Sequence, residues 1–315
     1  MARIRTLAAL AAMSPLLLAA CGTESATSTD IETVSITHSQ GSTEAPLNPE
    51  RVAVYDYSLL DTLDALGLSD RVIGLPTASV VPERFEDIAA NADNIGSLFE
   101  PDIEALIAAE PDVILVGLRS AEAYDDVSKI APTLDLTFDF DDPVGSNRAN
   151  VEAIAELFGV EDEAADRLDD IDSLVSDIQG KAAEGGNALI VMTAGGDVSA
   201  YGPDSRFGFI HRVLEIPTAA AITQDGRHGE AISFEFIREA QPDHLFVIDR
   251  DAAIGEGGAA AATVLDNALV ADTPAARNGN IHYLDSTAWY IIGSGLNTLE
   301  AMISAIDAAI SGGTS

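Results

Sequence analysis

Three arginines stand where a binding site would need them. Arg119 follows the apolar run Val113-Ile-Leu-Val116. Arg206 lies in Tyr201-Gly-Pro-Asp-Ser-Arg206-Phe-Gly, and Arg250 ends the run that starts Leu245-Phe-Val-Ile248. Open α/β sheets bind ligands beyond the carboxyl ends of their strands. Fork-shaped guanidiniums converging there select an anionic, oxygen-rich ligand. Each Arg alone is also open to a surface ion pair, because carboxylates are abundant in this chain. His228 sits in the Gly-flanked loop Asp225-Gly-Arg-His228-Gly229, where an imidazole can reach a ligand. Tyr290 sits in Ala288-Trp-Tyr290-Ile291 before Gly293, also read as a loop. Phenolate oxygen and neutral imidazole are both donors for Fe(III). From spacing alone, Trp289 and Tyr290 read as cover for a domain edge.

Other chemistry is missing. The chain has no His-Glu-x-x-His zinc helix, no Ser-x-x-Lys, no Gly-x-Ser-x-Gly elbow and no Walker-type loop. No two of the five His stand at metal-ligand spacing. An enzyme with another constellation stays open, but nothing nominates its nucleophile or base. The net charge is −36, with 52 acidic and 16 basic residues, only two of them Lys. That argues against nucleic acid as a partner and against electrostatic docking on anionic lipid. The charge reads either as a solvated surface or as an attractor of cations.

The one Cys, Cys21, cannot form an internal disulfide or a Cys-based zinc site. It closes Leu18-Ala-Ala-Cys21 after the charged Arg3 and Arg5 and an apolar stretch too short for a comfortable membrane span. This resembles a bacterial lipobox, in which the Cys thiol receives diacylglycerol. An ordinary secretory signal with a coincidental Cys is the other reading. Loss of residues 1–20, with their two Arg, takes the charge to −38. Residues 21–45 are then a lipid-anchored tether and a first strand, on the extracytoplasmic face of the membrane.

The elements that must position the arginines alternate. Strands are expected at 51–55, 72–74, 113–116 and 133–138, with helices at 58–66 (capped by Ser58) and 103–109. The same grammar restarts with strands at 188–192, 245–248 and 281–284 and helices at 207–214 and 296–310. This is an α/β pattern with largely parallel sheets. Ile103-Glu104, then Pro111-Asp112 and a strand, match Phe234-Glu235, then Pro242-Asp243 and a strand, at an offset of 131 residues. Two related lobes follow, at 46–160 and 185–315. Between them, Ala164, Leu168, Ile171, Val175, Ile178 and Ala182 recur at helical spacing and predict one helix over 161–184. A stiff helical link allows small closure rather than a wide hinge.

Several stretches carry a resemblance: Val54-Tyr-Asp-Tyr-Ser-Leu-Leu-Asp-Thr-Leu-Asp-Ala-Leu-Gly67, Ser199-Ala-Tyr-Gly-Pro-Asp-Ser-Arg-Phe-Gly208, Leu245-Phe-Val-Ile-Asp-Arg-Asp251 and Leu265-Asp-Asn-Ala-Leu-Val270. From about Val34 onward the chain resembles the ABC-importer substrate-binding lipoproteins that capture ferric siderophores, nearest the catecholate binders of the CeuE and YclQ type. The resemblance implies two Rossmann-like lobes on one long helix, a non-enzymatic monomer with no intrinsic cofactor, and an Fe(III)–siderophore cargo between the lobes. Arg119, Arg206 and Arg250 match arginines that neutralise the anionic chelate. His228 and Tyr290 match side chains that complete iron coordination when the siderophore is tetradentate. Glu104 and Glu235 match the lobe-tip glutamates that dock on a two-fold permease. The same fold binding haem, a corrinoid or a ferric hydroxamate is the alternative, ahead of a cell-surface hydrolase. Arg227 before His228 and the segment Thr77–Phe85 depart from the family pattern.

Overall fold

The computed structural model describes residues 32–222 and 229–312. Cys21, the secretory segment and His228 therefore lie outside the described residues. The first described elements, β1 (Thr33–His38) and β2 (Gly41–Pro46), form an antiparallel hairpin. Ile36 and Ala45 fix it to the core of the N-terminal lobe.

That lobe contains β3 (Val52–Val54), α1 (Tyr57–Ala65), β4 (Val72–Leu75), β5 (Asp93–Asn94), α2 (Ile103–Ala108), β6 (Val113–Val116) and β7 (Thr133–Asp135). The sheet order is β5-β4-β3-β6-β7, and every pairing is parallel. Val52–Val54 and Val113–Val116 are wholly buried, as central strands covered on both faces must be. α1 is capped by Asp56, not by the expected Ser58. Asp56 Oδ1 accepts hydrogen bonds from the Ser58 N–H (2.8 Å) and hydroxyl (2.7 Å). β7 stops three residues before the alternation at 133–138 predicts. Asp135 Oδ1 accepts the Thr137 N–H at 3.1 Å, an Asx-type turn that ends the strand.

A helix absent from the sequence reading follows, α3 (Pro143–Phe158). Asp142 caps it, Pro143 opens it, and Gly159 ends it at φ 67°. The connector α4 (Glu161–Ala182) comes next. All six positions of its predicted apolar stripe are buried. Burying the larger ones contributes roughly 1.5–3 kcal/mol each.

The C-terminal lobe contains β8 (Ala188–Ala194), β9 (Asp197–Tyr201), β10 (Glu230–Ala231), α5 (Phe234–Ala240), β11 (His244–Asp249), β12 (Ile281–Tyr283) and α6 (Leu296–Ser311). Its order is β10-β9-β8-β11-β12. Here β8, β11 and β12 are parallel, while β9 and β10 run antiparallel. Gly195 (φ 58°) and Gly196 (φ 89°) make the two-residue turn that folds β9 back on β8. The helix expected at 207–214 is a single turn, Phe209–Arg212.

The repeated units occupy matching places, since β6 and β11 are each fourth in their sheets. Glu110 (φ 47°) and Gln241 (φ 46°) both leave their helix in the left-handed conformation, directly before Pro111 and Pro242. A residue before Pro is disfavoured in the right-handed helical region, and these helices end there. Asp112 Oδ2 then accepts the N–H groups of Glu50 (3.0 Å) and Arg51 (2.9 Å), just ahead of β3. Asp243 Oδ2 accepts the Asn187 N–H (3.0 Å), just ahead of β8. Each Pro-Asp thus staples its strand to the start of the neighbouring one.

α6 adds a second bridge between the lobes. Its first turn is held by Asp61 of α1, whose carboxylate accepts the Thr298 N–H (3.0 Å) and hydroxyl (2.7 Å). Asn147 of α3 accepts the Gly295 N–H at 2.8 Å. Arg84 pairs with Asp61 at 2.8 Å. Among the described residues, no helix is long and apolar enough to cross a membrane.

Candidate functional site

A cavity of about 490 Å³ opens beyond the carboxyl ends of the central strands, lined from both lobes. Arg119, Arg206, Arg250 and Tyr290 all line it. The N-terminal lobe brings Arg119 on the turn after β6. Ser120 Oγ accepts the Gly117 N–H there at 3.1 Å, and the Leu118 N–H donates to Thr137 Oγ1 at 3.1 Å. Leu118 takes φ 43°, a strained conformation that the two side-chain bonds help to hold. The C-terminal lobe brings Arg250 directly after β11, on a one-turn helix capped by Asp249. Arg206 sits in a turn tied by Ser205 Oγ donating to the Gly202 carbonyl at 2.6 Å.

All three guanidiniums meet at Tyr290. Arg119 donates to the Ile291 carbonyl (3.1 Å) and the Tyr290 carbonyl (2.9 Å). Arg206 donates to the same Tyr290 carbonyl (3.0 Å) and lies over the Tyr290 ring at 4.6 Å and the Phe207 ring at 4.8 Å. Arg250 Nε donates to the Tyr290 hydroxyl oxygen at 3.3 Å. The backbone explains the convergence. Thr287–Ile292 is a π-helix, with the Gly293 N–H reaching back five residues to the Ala288 carbonyl at 2.7 Å. Such turns are rare and recur at functional sites. Trp289 is buried in one core cluster, Ile291 and Ile292 in another, and Tyr290 packs against both. The pair read as edge cover therefore divides: Trp289 is core, and Tyr290 lines the cavity.

The arginines differ in compensation. Arg250 forms ion pairs with Asp251 (3.5 Å) and Glu256 (3.6 Å). Arg119 has no ion pair among the described residues, and its hydrogen bonds go to carbonyls. The buried Asp56 lies nearby, at 3.3 Å from where a Cβ on Gly117 would stand. Desolvation pushes its carboxyl above the usual range, against the hydrogen bonds from Ser58 and the charge of Arg119. The site therefore presents donors and positive charge to an anion. Among the described residues, no group of three or more His, Cys, Asp or Glu is arranged to hold a metal ion.

The periplasmic binding protein family profile matches residues 52–288. The chain belongs to this family. It is 38% identical over 305 residues to the petrobactin-binding protein YclQ of Bacillus subtilis, covering 93% of this chain and 95% of that protein. It is 32% identical over 277 residues to the ferric-anguibactin-binding protein FatB of Vibrio anguillarum, covering 86% and 85% respectively. The crystal structure of YclQ superposes with a TM-score of 0.84 at 37% identity, covering 89% of this chain and 99% of that one. The catecholate-siderophore binding protein VctP of Vibrio cholerae gives 0.80 at 32% identity, covering 88% and 100%.

Of the other predicted residues, Glu104 and Glu235 do not line the cavity, while His228 and Cys21 lie outside the described residues. Glu104 and Glu235 are exposed in the first turns of α2 and α5, whose caps are Asp102 and Ser233. The backbone N–H of Glu235 and the Ser233 side chain hold the Glu235 carboxyl below the usual range. Sequence reasoning missed Phe99, Leu118, Phe140, Met192, Asp197 and Ser199, which also line the cavity. The Gly195-Gly196 turn signals the hairpin that delivers the last two. A further relation was also legible: the offset of 131 that links the Pro-Asp units also links Arg119 to Arg250.

Proposed function

We propose that this chain is an extracytoplasmic binding protein that captures a ferric siderophore, of catecholate type, between its lobes and delivers it to an ABC-importer permease. The observation that carries this reading is the meeting of Arg119, Arg206 and Arg250 at Tyr290 in one cavity. A ferric tris-catecholate carries about three negative charges, and burying it uncompensated would be costly. Guanidiniums stay charged on desolvation and match its oxygens. The protein's overall charge opposes approach, yet beyond a Debye length of about 8 Å it is largely screened at physiological salt. Inside the cavity the local arginines dominate.

In this reading His228 and Tyr290 complete the iron shell of a tetradentate chelate and stay uncoordinated with a hexadentate one. Cys21 carries the lipid anchor. Glu104 and Glu235 dock on the permease, one per lobe, as a two-fold partner requires. The family and its relatives are binding proteins, which supports a non-enzymatic role. Trp289 is the only Trp and neighbours the site, so its fluorescence reports occupancy. Titration with ferric and iron-free catecholates should quench it with the ferric forms at far lower concentration. Absence of quenching across several ferric siderophores sinks the proposal.

A further inference from the structure

One aromatic ring in the cavity has no ring or cation partner among the described residues. Phe140 packs edge-on against Phe138 at 5.2 Å and lies 6.0 Å from the Arg206 guanidinium. Tyr290 carries Arg206 on its ring and Arg250 on its hydroxyl. Phe99 lines the same cavity with 66% of its surface exposed, and no ring or cation partners it among the described residues. Leaving so much apolar area in water forgoes roughly 25 cal/mol per Å².

The backbone holds that exposure in place. Ser97 and Glu100 close a tight turn, with the Ser97 N–H donating to the Glu100 carbonyl at 3.0 Å. Ser97 Oγ accepts the N–H groups of Phe99 (3.2 Å) and Glu100 (2.9 Å). Leu98 is buried in the lobe core, and its N–H donates to Ser79 Oγ at 3.0 Å. Gly96 takes φ 110°, and a Cβ there would stand 2.5 Å from backbone atoms on the far side of the turn. The turn is thus pinned at both ends and through Leu98, with Phe99 at its apex. Across the cavity the β8–β9 hairpin presents Met192, Ala194, Asp197 and Ser199, none aromatic.

We propose that Phe99 is a specificity-determining residue that packs on an aryl ring of the bound chelate, so that the cleft favours anionic aryl chelates over equally anionic aliphatic ones. The arginines select charge and oxygen acceptors, and a ring beside them with no ring or cation partner among the described residues adds selection for a π-face. Ring pairs contribute beyond their buried area. The proposal rests on the capture of a ferric chelate in this cleft. Phe99 also lies in sequence near the exposed Ile103 and Ile107 of α2, and the competing role is contact with the permease.

The test titrates the full chain with two iron complexes, a synthetic bis-catecholamide and ferric citrate, following Trp289 fluorescence. Phe99→Ala should weaken the catecholamide complex about tenfold and ferric citrate less than twofold, with an unchanged melting temperature. Phe99→Tyr should bind as the wild type, and Phe99→Leu, which keeps area without a π-face, should lose about threefold. No loss of catecholamide affinity in Phe99→Ala overturns the proposal, as does an equal loss for both chelates or full affinity in Phe99→Leu. Loss of uptake with binding intact assigns Phe99 to the permease and overturns it too. A wild-type chain that binds neither complex instead refutes the ferric-siderophore function itself.

Discussion

Residues 103–119 and 234–250 run in step through the two lobes. Each stretch has a Glu in the first turn of a short helix, a left-handed residue, Pro-Asp, a buried strand and then an Arg in the cavity. They part at the end. Arg119 rests on two main-chain carbonyls, whereas Arg250 is flanked by Asp251 and Glu256. The scaffold and the outward carboxylates repeat, while the electrostatics facing the cargo diverge. In the proposed function a two-fold partner would constrain the first, and the bound ligand only the second.

The largest test of that symmetry is uptake. Glu104→Arg combined with Glu235→Arg should abolish ferric-siderophore uptake in cells while leaving the fluorescence titration unchanged. The two single variants should impair uptake to similar degrees, since the glutamates hold equivalent positions. Their surroundings differ, with exposed Ile107 on α2 where α5 carries Arg238. One single variant that leaves uptake intact while the other abolishes it breaks the symmetric part of the comparison.

The arginines test the divergent part. Arg119→Ala and Arg250→Ala should each weaken a ferric catecholate about thirtyfold, within the roughly 1.5–3 kcal/mol of a charged hydrogen bond. Adding Glu256→Gln to Arg250→Ala should recover about threefold, because an exposed carboxylate no longer faces the anion. The same Glu256→Gln added to Arg119→Ala should strengthen binding less if local compensation belongs to Arg250. Identical recovery in both backgrounds would show that Glu256 acts through the general field rather than through its pair.

The fold was legible where periodicity is strong. The stripe of α4 repeats over six positions, and helix packing buries all of them. α3 went unread although Asp142-Pro143 and Gly159 frame it, because its polar Ser146, Asn147, Arg148 and Asn150 blur the apolar period. β9 went unread because Asp197–Tyr201 pairs antiparallel through a turn, against the parallel grammar of its neighbours. In the site, positions after strands pointed to Arg119 and Arg250. The central place of Tyr290 was not legible by spacing, because a π-helix changes which carbonyls and side chains face one way.

The Pro-Asp staples allow a stability comparison. Asp112 holds two N–H groups, and its equivalent Asp243 holds one through its carboxylate. Asp112→Ala should cost about 2 kcal/mol and Asp243→Ala about 1 kcal/mol in urea unfolding. A cost near zero for Asp243→Ala would mean that the reciprocal bond from the residue 243 backbone N–H to Asn187 Oδ1, at 3.1 Å and untouched by the substitution, carries the C-terminal junction, whereas the reverse order would break the link between bond count and cost.

The smallest effect comes from a contrast at the base of the two sheets. β6 begins with Val113, and the equivalent position in β11 is His244, whose Nδ1 lies 3.1 Å from His282 Nε2 on β12. Burial, with a further contribution from His244, depresses the His282 pKa to about 4. In the unfolded chain this imidazole takes up its proton near the ordinary value of about 6.5. Between those limits the unfolded state binds more protons, so this group removes stability as pH falls from about 6.5 to about 4. His211 and His38 are depressed in the same direction by burial, while the raised carboxyls of Asp56 and Asp61 act oppositely. The variant difference isolates His282 from these. His282→Gln should melt close to the wild type at pH 7.5 and gain on it progressively at pH 5.5 and 4.5. The half-exposed setting of the ring limits the gain to a few degrees. A constant difference across the three pH values would place the cost of the His pair in packing rather than in protonation, and would leave the two sheet bases alike in their response to acid.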